Sequence, residues 1–274
     1  MTYRDENRRR WKTVAAGWEK HADALRRDTM PVTSWMIDAV APQPGQTVLE
    51  LAAGIGDAGF LAAELLEPGG TLVTSDLVPE MLSAAQRRAE ALGISNVRFR
   101  QIDAEAIDQP AATLDGVLSR WGYMLMPDAE AALKDTRRVL RPGGRVALAA
   151  WADPDDNPWA VMPVEELVRR GLVEPMPPGP GQFAWAPEGT VQENLEAAGF
   201  VDFEIGSVAF TMRYASPAAW WERSKDMSER VGEAAARADE DEIVAALAEQ
   251  AVEWTADDGS LAVPARTWVA AATA

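Results

Sequence analysis

The sequence predicts an α/β protein built on a doubly wound, mostly parallel sheet of seven strands, with helical insertions before the core and late in the chain. Three observations lead there. Short apolar runs alternate with helical segments from residue 47 onward, the pattern of successive strand–helix–strand units. Gly69-Gly70 and Pro142-Gly143-Gly144 stop helices just before the next strand. The third is the junction of the first strand with its following helix, the small-residue loop Gly54-Ile55-Gly56-Asp57-Ala58-Gly59.

Residues 6–28 place Trp11, Val14, Ala15, Trp18, Ala22 and Leu25 at spacings of three and four, which predicts one amphipathic helix. A second helix is expected to start near Pro31 or Thr33 and to end before Pro42. The runs Thr47–Leu51, Thr71–Ser75, Val97–Ile102, Leu114–Ser119 and Arg145–Trp151 suit buried parallel strands. Helices over Ala58–Leu66, Pro79–Leu92 and Ala129–Leu140 connect them. After Trp151 come Pro/Gly-rich loops at Asp153–Pro158 and Pro175–Gly181, around a helix near Val161–Gly171. A helix at Thr190–Ala198 leads to a strand at Val201–Val208. Residues 217–254 read as two helices split near the acidic run Asp239–Glu242, and Leu261–Thr273 returns to the sheet as its last strand.

Composition narrows the function classes. The formal net charge is -17, from 43 acidic against 26 basic side chains, which works against a phosphate-neutralising nucleic-acid binder. Arg8-Arg9-Arg10 is the one compact basic run and reads as a solvated face. With no cysteine there is no thiolate nucleophile, disulfide or thiolate metal site, and a reducing cytoplasm is the simplest home. One histidine and no cysteine leave no metal site to expect. The charged start (Arg4, Asp5, Glu6, Arg8) does not read as a signal peptide, and no window approaches the ~18 apolar residues of a spanning helix. A soluble monomer or homodimer is expected.

The glycine loop matches G-x-G-x-x-G, and an acidic residue, Asp76, stands about 20 residues on at the end of the second strand, where it can hydrogen-bond a ribose. That much fits a nicotinamide dinucleotide as well as S-adenosylmethionine. Four features separate them. Glu50, before the glycines, can accept hydrogen bonds from an ammonium group and would repel a pyrophosphate. Asp103-Ala104-Glu105 follows the third strand, where an adenine edge can be read. The fourth strand ends in the polar-aromatic turn Leu118-Ser119-Arg120-Trp121-Gly122-Tyr123. Arg141-Pro142-Gly143-Gly144 precedes the fifth strand.

Val48-Leu49-Glu50-Leu51-Ala52-Ala53-Gly54-Ile55-Gly56, Ser75-Asp76-Leu77 with Pro79-Glu80-Met81-Leu82, Asp103-Ala104-Glu105 and Arg141-Pro142-Gly143-Gly144 resemble the successive motifs of class I S-adenosylmethionine-dependent methyltransferases. The branch most resembled acts on small molecules and includes the ubiquinone/menaquinone C-methyltransferases. The resemblance spans residues 45–151, and more weakly to about 208. It implies a Rossmann-like fold in which Glu50 and the loop Ala52–Gly56, with Gly54, hold the methionine end of S-adenosyl-L-methionine. Asp76 would bind the ribose, Leu77 and Met81 would flank the adenine, and Asp103, Ala104 and Glu105 would read its edge. The family usually has glycine where this chain has Ala52, so a slightly tighter fit is expected. As a single domain the chain divides into an N-terminal helical lid (1–42), a cofactor-binding core (43–152), acceptor-side insertions (153–260) and the last strand (261–274).

A dehydrogenase is a weaker reading, since none of Tyr3, Tyr123 or Tyr214 is followed four residues later by lysine. A non-methylating enzyme or binding module using the same cofactor site is the other alternative. Methyl transfer from a sulfonium is an in-line displacement, in which positioning supplies ~7–11 kcal/mol and a general base only ~10²–10⁴-fold. The missing obvious base therefore does not count against transfer. His21, three residues after Trp18 on the helix that covers the cofactor in such relatives, is the candidate base; its bland reading is a helix-face histidine. Trp18 joins the cofactor-binding candidates on the same ground. Trp121 is the candidate acceptor-side residue, with Arg120 beside it to meet a cofactor or substrate carboxylate. An apolar or planar small-molecule acceptor is expected under a lid from residues 5–40, 153–187 and 215–255.

Overall fold

A computed structural model describes residues 3–175 and 179–274; residues 176–178 of the expected Pro/Gly-rich stretch lie outside the described residues. Ten α-helices and seven strands are seen among them. Helices α1 (Tyr3–Lys20) and α2 (Ala22–Val40) precede β1 (Thr47–Glu50), α3 (Asp57–Leu66), β2 (Thr71–Asp76), α4 (Pro79–Leu92) and β3 (Val97–Gln101). β4 (Leu114–Arg120), α5 (Ala129–Val139) and β5 (Leu140–Trp151) follow. Then come α6 (Pro158–Arg169), α7 (Thr190–Ala197), β6 (Val201–Tyr214), α8 (Pro217–Met227), α9 (Glu229–Ala235), α10 (Glu240–Gln250) and β7 (Leu261–Thr273).

One seven-stranded sheet runs β3-β2-β1-β4-β5-β7-β6. It is parallel from β3 to β5, and β7 is antiparallel to both β5 and β6. The expected mostly parallel, doubly wound α/β sheet is therefore present. β1 is bonded on both edges, with Val48 opposite Leu72 and Gly116, and its residues Val48 and Leu49 are fully buried. The chain winds outward from β1 through β2 to β3, then crosses back to β4. The strand order thus reverses between β1 and β4, and a ligand crevice is expected beyond the carboxyl ends of those strands.

Three expectations need correction. The first helix break lies at His21, not between residues 28 and 31, and Pro31 sits inside α2. The cause is tertiary. α1 meets α8 so closely at Gly17 that a Cβ there would stand 1.9 Å from the Asp226 carbonyl oxygen. The Trp18 indole also donates to the Met227 carbonyl, and Lys20 and His21 both reach Asp226, so the chain turns where α1 docks. Residues 217–254 form three helices, because Ser228 opens α9 by accepting the Val231 N–H. Pro142-Gly143-Gly144 lies in the irregular start of β5, where the register against β4 shifts between Leu114 and Gly116.

The two N-terminal helices are held in different ways. α2 buries Val32, Met36 and Ile37 in the core and packs on β5, β6 and β7. α1 buries Val14 and Ala15 alone among its 18 residues. Ion pairs fasten it: Arg4 to Asp103 and Glu105, Arg9 to Glu229 (2.6 Å), Lys12 to Glu80 (2.9 Å), Glu19 to Arg87 (2.7 Å) and Lys20 to Asp226 (2.8 Å). Open grooves of about 430 and 270 Å³ flank it, one against α8 and α9, the other against α4.

Candidate functional site

The loop after β1 has a backbone that few residue types tolerate. Ala52 has φ 50° and Gly56 φ 85°, both left-handed. For an L-residue that conformation costs ~1–2 kcal/mol, which explains why glycine is usual at the position of Ala52. At Gly56 a Cβ would also stand 2.5 Å from the Phe60 ring. The loop is stitched to the end of β2. The Ala53 N–H donates to the Ser75 carbonyl, and the Ser75 hydroxyl donates to the Glu50 carbonyl at 2.7 Å. Asp76 accepts the Gly54 N–H on Oδ2 and the Val78 N–H on Oδ1, each at 2.9 Å. Burial pushes its carboxyl up, against the pull of those backbone donors.

Glu50 departs from expectation. It is 2% exposed and turned beneath the loop. Its Oε1 accepts the Gly59 N–H at 2.9 Å in the first turn of α3, and the Thr74 hydroxyl lies 3.5 Å from Oε2. A Cβ at residue 59 would lie 2.4 Å from Oε2, so the third glycine of the motif makes room for this carboxylate. Glu50 therefore serves the helix start rather than facing the crevice. Burial pushes its carboxyl up to about 7, against the Gly59 N–H and the Arg120 charge, which lower it.

At the end of β4, Trp121 adopts φ 63°, a rare state for a bulky residue and one that concentrates at functional sites. Its ring stacks on Trp151 (centroids 4.2 Å apart, planes 10° off parallel), with Phe210 at 6.3 Å, and its Nε1–H donates to Thr267 Oγ1 at 2.9 Å. Trp159 leans on Trp151 from α6 at 4.9 Å. Arg120 turns away from the crevice. Its Nη1 donates to Thr29 Oγ1 (2.6 Å) and Thr33 Oγ1 (2.8 Å) of α2, and its guanidinium carbon lies 4.9 Å from the Trp121 ring centroid. It positions Trp121 and α2 instead of awaiting a carboxylate. Burial lowers its pKa, while Asp57 and Glu50 oppose that.

The structure adds a residue that was missing from the sequence candidates. Ser119 Oγ is fully buried and has no hydrogen-bond partner. A Cβ on Gly122 would stand 2.5 Å from it and 2.8 Å from Ala52 Cβ, so hydroxyl, loop and turn converge on one spot. A hydroxyl donates and accepts, which suits either the ammonium or the carboxylate of an amino-acid-like group. This orphaned group, the left-handed loop and the spare acceptor sites of Asp76 fit S-adenosylmethionine. Ser119, Ala52 and Gly54 would hold its methionine end, and Asp76 its ribose.

The other candidates scatter. Leu77 is half-buried beside Asp76, whereas Met81 is 1% exposed and packs in the core. Asp103 accepts the Glu105 N–H and is engaged by Arg4 at 2.7 Å, and Ala104 lies between them, half-buried. Trp18 packs on Trp11 and α8. His21 Nε2 lies 2.7 Å from Asp226 Oδ2, an ion-pair partner on α8, and shares no partner with Trp121. The two catalytic candidates are not brought together. Among the described residues no group of three or more His, Cys, Asp or Glu is arranged to hold a metal ion, and no helix is long and apolar enough to cross a membrane.

Strand order and loop resemble those of class I S-adenosylmethionine-dependent methyltransferases, and the similarities to known proteins support that class. More narrowly, residues 30–159 match the model of the ubiE/COQ5 methyltransferase family, just under half of the chain. The nocamycin O-methyltransferase of Saccharothrix syringae is 31% identical over 182 residues, 63% of this chain and 65% of that protein. The chain spans less than two thirds of the length of the curated relatives it matches first. Among solved structures, phosphoethanolamine N-methyltransferase 2 of Haemonchus contortus, in complex with S-adenosyl-L-methionine, aligns over 100% of this chain and 60% of its own (TM-score 0.61, 18% identity). The [4+2]-cyclase SpnF aligns over 89% of this chain and 80% of its own (TM-score 0.52, 16% identity).

Proposed function

We propose that the protein transfers a methyl group from S-adenosylmethionine to a small apolar or planar acceptor. The observation that carries the acceptor's character is Trp121. It is held left-handed at the carboxyl end of β4, backed by Trp151 and Phe210 and fixed by Thr267. With Trp151 stacked on one face and the Arg120 guanidinium over the ring, a rigid indole presents its remaining edge to the crevice at low entropic cost. The cofactor supplies an electrophilic methyl group when bound. The chain's own residues supply position: Arg120 and the Thr267 hydroxyl fix the Trp121 ring. Trp121→Ala is expected to lower acceptor turnover at least ~10-fold, as lost positioning does, while leaving cofactor affinity within ~2-fold. Unchanged kinetics would remove Trp121 from the site.

In this reading α1 is the lid. A helix with two buried residues and a set of ion pairs is fastened by contacts worth ~0–1 kcal/mol each, and salt screens them. Raising salt from low to ~0.5 M should speed both dissociation of bound S-adenosylmethionine and hydrogen exchange of α1 amides, and leave α2 protected. Equal response of the two helices would count against a lid. A second reading, non-methylating chemistry at the same cofactor site, draws support from the fold shared with the [4+2]-cyclase SpnF. Absence of S-adenosylhomocysteine production across a broad acceptor panel, with the cofactor bound, would favour it.

A further inference from the structure

We propose, building on the methyl-transfer reading, that the acceptor carries an anionic group, a carboxylate or a phosphate, received by Arg230 at the start of α9 together with Arg10 of α1. Arg230 Nη1 is buried and has no hydrogen-bond partner. Its neighbour Glu229 does not serve it, being committed to Arg9 and the Thr13 hydroxyl of α1. The charge that acts on Arg230 most directly is another cation, Arg10, whose own acid is Glu6 at 2.5 Å. Burial and Arg10 both push the Arg230 guanidinium below its usual range. Scarcity of acid cannot explain this, since the chain has 43 acidic side chains for 26 basic ones. Arg4, Arg9, Lys12 and Lys20 of α1 have all found carboxylates.

An unsatisfied buried donor in a folded protein calls for an explanation, and an anion is the natural occupant between two guanidinium groups. The location suits the acceptor. Tyr3, Asn7 and Arg10 recur at spacings of four and three, so they lie along one stripe of α1. On that stripe Tyr3 and Asn7 both donate to the carbonyl of Leu125, four residues beyond Trp121. Arg10 therefore continues the flank of α1 that borders the Trp121 turn. α9 packs on α1, α6 and α8, and Arg230 at its start lies within electrostatic reach of Arg10. An acceptor set against the edge of Trp121 would extend its charged end toward this pair.

The test uses the full chain saturated with S-adenosylhomocysteine and calorimetry with flat probes. 2-Naphthoate is expected to bind about tenfold tighter than the neutral 2-naphthamide, the range of a hydrogen bond to a charged group. Arg230→Gln should erase that preference while leaving naphthamide and S-adenosylhomocysteine affinities unchanged, and Arg230→Lys should keep part of it. Naphthyl phosphate beside naphthoate identifies which anion is preferred. The ligand-free melting temperature of Arg230→Gln should hold or rise, because an unpaired cation is removed. Equal binding of naphthoate and naphthamide, or a preference that survives Arg230→Gln, would overturn the proposal. Failure of S-adenosylhomocysteine to bind at all would instead overturn the cofactor reading, and this inference with it.

Discussion

Asp76→Ala is expected to abolish measurable S-adenosylmethionine binding and to destabilise the cofactor loop by ~2–4 kcal/mol. The reasoning starts from the two backbone donors that its carboxylate satisfies, Gly54 N–H and Val78 N–H. Each would be left without a partner, at ~1–3 kcal/mol apiece where water cannot reach. A carboxylate offers about four acceptor sites, so at least one remains for a ribose hydroxyl after Gly54, Val78 and the nearby Leu77 N–H are served. Alanine removes both functions, and Asp76→Asn preserves one acceptor oxygen. The graded order wild type, Asn, Ala is expected in calorimetric affinity and in the thermal shift given by the cofactor. Binding of equal strength in Asp76→Ala would remove the ribose from this residue.

Glu50→Gln should stabilise the ligand-free protein by ~2–3 kcal/mol at pH 8 and by almost nothing at pH 4.5. The folded carboxyl titrates at about 7 against an ordinary 4.5. A shift of that size is ~3 kcal/mol of preference for the neutral form. Because the folded value is raised, the favourable contribution is complete below 4.5 and is lost as pH rises through 7. Glutamine keeps an oxygen for the Gly59 N–H and never ionises. Chemical denaturation from pH 4.5 to 8 reads the effect directly. Parallel pH profiles for the two proteins would show that Glu50 is not held neutral by burial. A cationic cofactor should favour the ionised carboxylate, so wild-type affinity should rise across the same window and that of Glu50→Gln should not.

Strand positions and order of chemistry were legible because each depends on local pattern. Buried parallel strands carry apolar side chains on successive residues, as Leu72-Val73 and Val117-Leu118 do, and a tight turn toward a ligand needs glycine, as at Gly56. The break at His21 was not legible, since the apolar spacing runs unbroken from Trp11 to Leu25. What ends α1 is the close approach of a helix more than 200 residues away, recorded in sequence by Gly17 alone. The same holds at the site. Glu50 carries the right charge in the right place, but its direction is set by Gly59, which reads as one more motif glycine. Arg120 looks available until Thr29 and Thr33, one turn apart on α2, are seen to hold it. Ser119 gave no signal beyond its place at the end of β4.

The last strand lies inside the sheet rather than at its rim. β7 separates β5 from β6 and pairs with both, so β6 has no strand to join until residues 261–273 exist. During synthesis the edge of β5 and the whole of β6 must wait, unpaired, while more than forty further residues emerge. Thr267, which fixes Trp121, arrives with that strand. The residues proposed for the methionine and ribose ends all precede that strand, whereas Trp121 lacks its Thr267 partner until it arrives. On the proposed function, the cofactor side of the site would be complete before the acceptor side, and a ribosome-bound intermediate would be a binder before it is a catalyst.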